Sequence, residues 1–317
     1  MRLSSQRFLI GVLLSVICCQ SQASPWFTGP ILAPAGHTVA RGHTNLETYG
    51  FFTWVNRVYD NNGNTVAIDH TTNNTLNPLF THGLTDKLDL QFSLPFAYNR
   101  VKDVRAHHIA DTSLTLGYQA LEQKGARWRP DLRITLQESI PTGRFEQLIP
   151  RNNGADSTGI GAWQTELNAN FQHLRQISET HYLRTRLSLG YAHASKVRIH
   201  DVTPYGSGLF ADGHLKPGQL YTVDLAGEFT LTQKWVAVME GYFSSRGATS
   251  FKGFPGFTAP GVLATVGHRL AEQISLAPAV EYNFTPNLGV IAGFWFAVTG
   301  KNTAEFRSPV IALNAYW

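Results

Sequence analysis

Apolar residues recur at every second position through runs of about ten residues, and polar, turn-rich stretches separate the runs. Within residues 88–96, Leu88, Leu90, Phe92, Leu94 and Phe96 share one face and Asp89, Gln91 and Ser93 the other. An amphipathic helix does not produce that alternation; a strand with one apolar face does. The same pattern sets Leu114, Leu116 and Tyr118 against Thr115, Gly117 and Gln119, and Leu132, Ile134 and Leu136 against Arg133, Thr135 and Gln137. It continues with Leu167 and Phe171 against Glu166, Asn168 and Asn170, then Leu183, Leu187 and Leu189 against Arg184, Arg186 and Ser188. Tyr221, Val223 and Leu225 oppose Asp224 and Glu228, and Ile274, Val280, Tyr282 and Phe284 oppose Ser275, Glu281 and Asn283. In the last run Pro309, Ile311, Leu313, Ala315 and Trp317 share a face.

Counted from 44–54, these runs number about twelve. The links alternate, short at 83–87, 121–130, 174–181, 232–234 and 285–288, long at 55–74, 98–110, 142–159, 193–218, 244–272 and 299–306. The pattern predicts an all-β, antiparallel transmembrane barrel of about 12 strands, with short periplasmic turns and long extracellular loops. An even strand count places both barrel ends on the periplasmic side. Three local features refine the expectation. Glu138 interrupts an apolar face and predicts a bulge or an early exit from the membrane. The facing of 235–243 is ambiguous, and Glu240 is placed inward because a carboxylate on the lipid face is costly. Residues 262–266 are apolar but would break the even count, so they are read as ordered loop or strand extension.

Composition agrees with this picture. Charged residues make up 15% of the 317 and aromatics 12%, with 28 glycines for turns; mean hydropathy is −0.14. Soluble domains carry roughly 25% charge. The net charge of +4 leaves no basic stripe suited to nucleic acid. Residues 1–23 read as a secretory signal peptide: Arg2 and Arg7, an apolar core from Phe8 to Cys19, and Ser21-Gln22-Ala23 for cleavage. A lipoprotein signal at Cys18 or Cys19 is the nearer rival, weakened by Ile17. With cleavage after Ala23 the mature chain holds no cysteine, which removes thiolate chemistry and cysteine-ligated metals. Residues 24–43, punctuated by proline and glycine, form an irregular segment that plugs or rims the barrel, and 44–317 form the barrel itself.

Several stretches resemble a known family. Gly83-Leu84-Thr85-Asp86-Lys87-Leu88-Asp89-Leu90 with Leu94-Pro95-Phe96, then Ile140-Pro141-Thr142-Gly143, and Leu276-Ala277-Pro278-Ala279-Val280-Glu281-Tyr282-Asn283 are similar to outer-membrane proteins of the meta-pathway phenol-degradation transporter family. Pro25-Trp26-Phe27-Thr28-Gly29-Pro30 and Gly300-Lys301-Asn302-Thr303 resemble one branch of it. The resemblance implies a barrel and the passage of aromatic or other small apolar compounds. It supplies no catalytic or ligand-binding residues.

The inward faces gather Asp89, Arg133, Glu166, Arg184, Arg186, Asp224, Glu228, Glu240 and Glu281 as candidate lumen-lining residues. A hairpin turning near Gln176 would pair Leu167 with Thr185 and set Glu166 opposite Arg186. Such a lumen either filters small solutes or is a mutually neutralising network that fills a narrow barrel. His107-His108 is expected in a loop, and His193, His200 and His214 in or beside the fourth long loop, without metal-ligand spacing. No Gly-x-Ser-x-Gly elbow occurs, so neither catalysis nor a cofactor or metal is expected. Trp163, Tyr191, Tyr221, Trp235, Phe243, Tyr282, Trp295 and Trp317 suit interface girdles. Phe251, Phe254 and Phe257 lie in a long loop and could narrow the mouth. The function expected is a passive outer-membrane channel for small, apolar or aromatic molecules. The alternatives are a closed structural or surface-interaction barrel and, less favoured, a lipid-modifying enzyme. The partners expected are outer-membrane lipid and lipopolysaccharide, a small-molecule substrate, and the barrel-assembly machinery, for which Trp317 is the assembly signal.

Overall fold

Alternating faces oblige each strand to bury one side and offer the other to lipid, and closing the sheet on itself meets both demands without leaving an edge. The structure, a computed structural model, describes residues 25–124 and 128–317. The expected signal segment lies outside the described residues.

Twelve antiparallel strands close the barrel. They are β1 (Thr44–Tyr59), β2 (Thr65–Gly83), β3 (Leu88–Ser93 and Phe96–Val101), β4 (Val104–Ile109 and Thr112–Leu121), β5 (Asp131–Ile140) and β6 (Gln164–Gln176). The second half comprises β7 (Tyr182–Ala194), β8 (Leu220–Thr230), β9 (Trp235–Arg246), β10 (Ala271–Leu276 and Ala279–Thr285), β11 (Leu288–Lys301) and β12 (Thr303–Tyr316). β12 pairs with β1 from Asn45↔Tyr316 to Tyr59↔Thr303. Below that ladder the Thr44 and Trp317 backbones exchange hydrogen bonds of 2.7 and 3.0 Å, which seals the seam.

Three stretches expected as long loops are tight hairpins. β1 and β2 run on to a turn at 60–64, where Asp60 Oδ1 accepts the Asn62 and Asn64 amides and Gly63 has φ +83°. β3 and β4 meet at Lys102-Asp103 and β11 and β12 at Asn302, with Lys102 and Asn302 in the left-handed region. His107 and His108 therefore lie on β4 rather than in a loop. Above the membrane both faces of a strand are wet, so the apolar alternation that marks a spanning strand disappears from these extensions.

Glu138 causes no bulge. Its register on both neighbours is unbroken, and its carboxylate accepts the Thr165 hydroxyl at 2.6 Å. A weaker point lies where Pro78 and Leu94-Pro95 face each other. Two prolines lack amide donors there, and between the paired stretches on either side the β2–β3 ladder is bridged by a 3.4 Å contact from the Leu94 amide to the Pro78 carbonyl. On the lipid side just above, Phe52, Leu76, Phe96, Tyr98 and Ile109 border a shallow apolar groove of about 490 Å³.

The true loops build a cap. Short strands Val197–His200, Asp212–Lys216 and Ser250–Phe254 form a sheet above β7–β9. One face of it buries Val197, Ile199 and Leu215 with Ala162, Ala194, Tyr205 and Phe251. Val262–Leu263 pairs with Phe257–Ala259 inside the same loop, apart from the barrel sheet. Phe251 thus packs in the cap core, while Phe254 stays exposed.

Candidate functional site: the lumen and the segment docked in it

Inward positions on the lower half of β3–β10 hold three buried guanidiniums, Arg133, Arg184 and Arg186, against five buried carboxylates, Asp89, Asp224, Glu228, Glu240 and Glu281. A buried charge needs a partner of opposite sign or several hydrogen bonds. The arginines take two of the acids. Arg133 Nη2 lies 2.6 Å from Asp89 Oδ1. Arg184 grips Glu228 with two donors, its Nε at 2.6 Å from Oε2, and Arg186 Nε approaches the same carboxylate at 3.2 Å.

Backbone amides of residues 25–43 supply what is missing. The Thr28 and Gly29 amides donate to Glu281 at 2.8 and 3.2 Å. The amides of Ile31, Leu32 and Ala33 all donate to Glu240, the latter two at 2.9 Å. Val39 donates to the second oxygen of Asp89 at 3.0 Å. Hydrogen bonds to an ionised acceptor are about twice as strong as neutral ones, so these acids act as clamps on an otherwise irregular chain.

Further side-chain contacts complete the docking. Asn283 Nδ2 donates to the Trp26 carbonyl at 3.3 Å, and Arg186 Nη1 to the Ala33 carbonyl at 2.9 Å. Gln119 accepts the Thr38 amide at 2.7 Å and donates to the Gly36 carbonyl at 3.1 Å, while Gln172 meets His37 at 3.0 Å. Phe27 lies under the Arg184 guanidinium, 4.1 Å from ring centroid to Cζ, a favourable cation–π geometry. The segment therefore arcs around the inside of the wall from β10 through β9, β7, β6 and β4 to β3, and then enters β1. Asp224 stands apart, its buried Oδ1 meeting no donor among the described residues.

Of the nine charged positions expected to face inward, eight are buried and Glu166 is half-buried, and one expected pairing differs. Leu167 lies opposite Tyr191, not Thr185, so Glu166 faces Ala192 and Arg186 faces Gln172. β6 runs on to Gln176 before turning at 177–181, which displaces the register by six residues (191 against 185). Glu166 is consequently half-buried near the outer end, far from the arginine cluster along the strand. Trp317 is exposed on the outer face.

The arc leaves space on the far side. A cavity of about 630 Å³ lies between the docked segment and the inner faces of β1, β2, β11 and β12. Tyr49, Phe51, Tyr242, Trp295 and Tyr316 line it, together with the arginines. Trp295 points inward, contrary to its expected place in a girdle. Its indole donates to Ser275 Oγ at 2.9 Å, and its ring meets Phe51, Tyr242 and Phe306. Its partner in register, the fully buried Ser308, carries the signal that would have revealed this facing.

A second cavity of about 590 Å³ lies outward of the first, between the cap and β2–β3. The loop at 142–159 folds over this mouth, where its Ala155 and Ser157 carbonyls accept Asn99 Nδ2 at 3.1 and 2.8 Å. Inward residues of one strand line both spaces, Thr71 and Asn73 the outer, Asn77, Leu79 and Thr81 the inner. Between them Asn73 donates to Asn99 at 2.6 Å, and Ser93 to Asn77 at 2.8 Å.

The family model described as "Putative MetA-pathway of phenol degradation" matches residues 36–308. Among solved structures the chain is similar to an outer membrane channel from Pseudomonas putida F1, at 17% identity and a TM-score of 0.70, with 90% of this chain and 100% of that one covered. More distant are the NanC porin, at 10% identity and TM-score 0.43 over 85% of this chain and 98% of that one, and the TodX monoaromatic hydrocarbon channel, at 10% and 0.38 over 87% and 89%. No curated protein sequence matches the chain.

Proposed function

We propose that this chain, which belongs to the phenol-degradation MetA-pathway family, is a passive outer-membrane channel for small molecules with an aromatic or apolar body. The observation that carries the reading is the inner cavity of about 630 Å³, whose wall joins aromatic rings to guanidinium groups. Such a lining accepts a ring on Trp295, Phe51 and Tyr49, and a hydroxyl or carboxylate on the polar side. The outer cavity continues it along β2, so a solute would move past the Asn73–Asn99 and Asn77–Ser93 contacts. The reading contains no chemical step: Asp89, Glu228, Glu240 and Glu281 are engaged by arginines or by the docked amides.

The test is uptake of a radiolabelled benzoate by cells whose outer membrane lacks other routes for it. Expression of this chain should raise the initial uptake rate in proportion to its amount in the membrane, with no dependence on an energy source at the outer membrane. An unchanged rate with abundant, folded barrel would overturn the proposal. It would favour the second reading, a closed barrel acting through its outer loops, which the docked segment and the capped mouth support.

A further inference from the structure

The cap sheet buries one face in its own core, and its other face is turned away from the barrel axis. In register across its three strands, Arg198 lies opposite His214, and His214 opposite Lys252. Adjacent strands are about 4.8 Å apart, so the row spans roughly 10 Å. Lys196 and Lys216 flank it one step closer to the membrane, and all five side chains are exposed. We propose that this face binds the phosphate groups of the outer leaflet's glycolipid, lipopolysaccharide.

Position argues for a lipid rather than a soluble anion. The three strands continue β7, β8 and β9 upward, so their outward face extends the lipid-facing wall. At the top of that wall Tyr191 and Tyr221 lie opposite each other, their rings 5.3 Å apart, and aromatic residues of this kind mark the level of the headgroups. Lys196 and Lys216 follow five residues above them, roughly 16 Å along strands that rise about 3.3 Å per residue. With a tilt near 40° that is about 12 Å of height, the level of phosphorylated sugars rather than of acyl chains.

Charge argues for phosphate. Only Arg198 has a carboxylate in reach, Asp212 at 3.8 Å, and both groups are more than half exposed. Lys196, Lys216 and Lys252 make no ion pair among the described residues. Three basic groups elsewhere around the rim are paired, Lys102 with Asp69 at 2.9 Å, Arg57 with Glu305 at 3.3 Å, and Lys301 with Glu272 at 3.7 Å, whereas single exposed arginines such as Arg105 and Arg151 stand apart from one another. Five exposed basic side chains with one long ion pair among them thus cluster on the sector that stands over the β7–β9 wall, where anionic headgroups pack against protein.

The experiment uses the full refolded barrel and measures bound lipid by native mass spectrometry after titration with purified lipopolysaccharide. A variant carrying Arg198→Gln, His214→Gln and Lys252→Gln should bind at least tenfold more weakly. Replacement of three basic side chains elsewhere on the rim, Arg57→Gln, Lys102→Gln and Lys301→Gln, should leave binding within twofold of the parent chain although it removes at least as much positive charge. Lipopolysaccharide stripped of its phosphates should bind the parent as weakly as the intact lipid binds the first variant, and millimolar inorganic phosphate should not compete. Equal binding by the first variant and the parent would overturn the proposal. So would equal loss in the two triple variants, full binding of the dephosphorylated lipid, or displacement by inorganic phosphate alone.

Discussion

Glu240 is the most consequential single clamp on the docked segment. Its carboxylate is completely buried and accepts three successive amides, those of Ile31, Leu32 and Ala33. A hydrogen bond to a charged group contributes about 1.5–3 kcal/mol net. Taking the lower figure for each, because bonds to one acceptor are not additive, Glu240→Ala should weaken docking by about 4 kcal/mol. At 1.4 kcal/mol per decade this is roughly a thousandfold in the undocking equilibrium. Glu240→Gln keeps one acceptor oxygen without the charge, so its bonds should be about half as strong. A loss of about 2 kcal/mol corresponds to roughly thirtyfold. The barrel itself should tolerate either change, because acids outnumber the buried arginines and no guanidinium depends on Glu240 for its ion pair. The assay is hydrogen exchange at 31–33 in detergent-folded protein, with gel heat-modifiability confirming an intact barrel. Exchange should accelerate from parent to Gln to Ala, and planar-bilayer conductance should rise in the same order. Unaltered protection at 31–33 in folded Glu240→Ala protein would refute the clamp.

Other perturbations separate the wall from the segment. Glu228→Ala leaves Arg184 and Arg186 buried without their carboxylate. It should cost the barrel about 3–5 kcal/mol, seen as a lower urea midpoint. Gly117→Ala would place a methyl group 2.1 Å from Asp89 Oδ1 and 2.4 Å from Arg133 Nε. Forcing that ion pair apart should cost about 1–3 kcal/mol, and a midpoint equal to the parent's would contradict the geometry. In the outer loops, burial and the nearby Arg246 hold the His268 imidazole below its ordinary value. The folded loop then binds fewer protons than the unfolded one, so its stability is full above pH of about 6.5 and declines as pH falls below it. Amides near Gly267 should exchange faster at pH 5 than at pH 7.5 after correction for intrinsic rates, and His268→Gln should abolish the difference.

The lipid-facing half of the fold was legible because lipid imposes a strict rule: Leu88, Leu90 and Phe92 face out, so Asp89 and Gln91 face in. Where that rule lapses, legibility lapses with it. Residues 60–74 are mostly polar, with only Val66 and Ile68 as large apolar side chains, because the β1–β2 hairpin stands in water, and they look like loop. Register is a second blind spot. Alternation fixes which face Glu166 and Arg186 take, but nothing along the strand counts residues to the turn, so a displacement of six leaves every facing unchanged. Most of the lumen site was visible as charge without its purpose. Asp89, Glu240 and Glu281 read as a filter because the groups they hold are backbone amides, which carry no signature in sequence. Gln119, Gln172 and Asn283, which hold the rest of the segment, looked like ordinary wet interior positions. Trp295 was misplaced because interface aromatics are so common that an inward one is hidden among them; the parity of β11 against Ser308 was the available clue.

The proposed solute path runs along β2, between the docked segment and the β1–β2 wall. Asn77 faces the inner cavity and accepts a hydrogen bond from Ser93. Benzoate uptake should be measured in cells carrying Asn77→Trp at parental barrel levels, beside Leu76→Trp on the lipid face of the same strand. Asn77→Trp should abolish uptake, whereas Leu76→Trp should retain it. Equal uptake by the two variants would contradict this path.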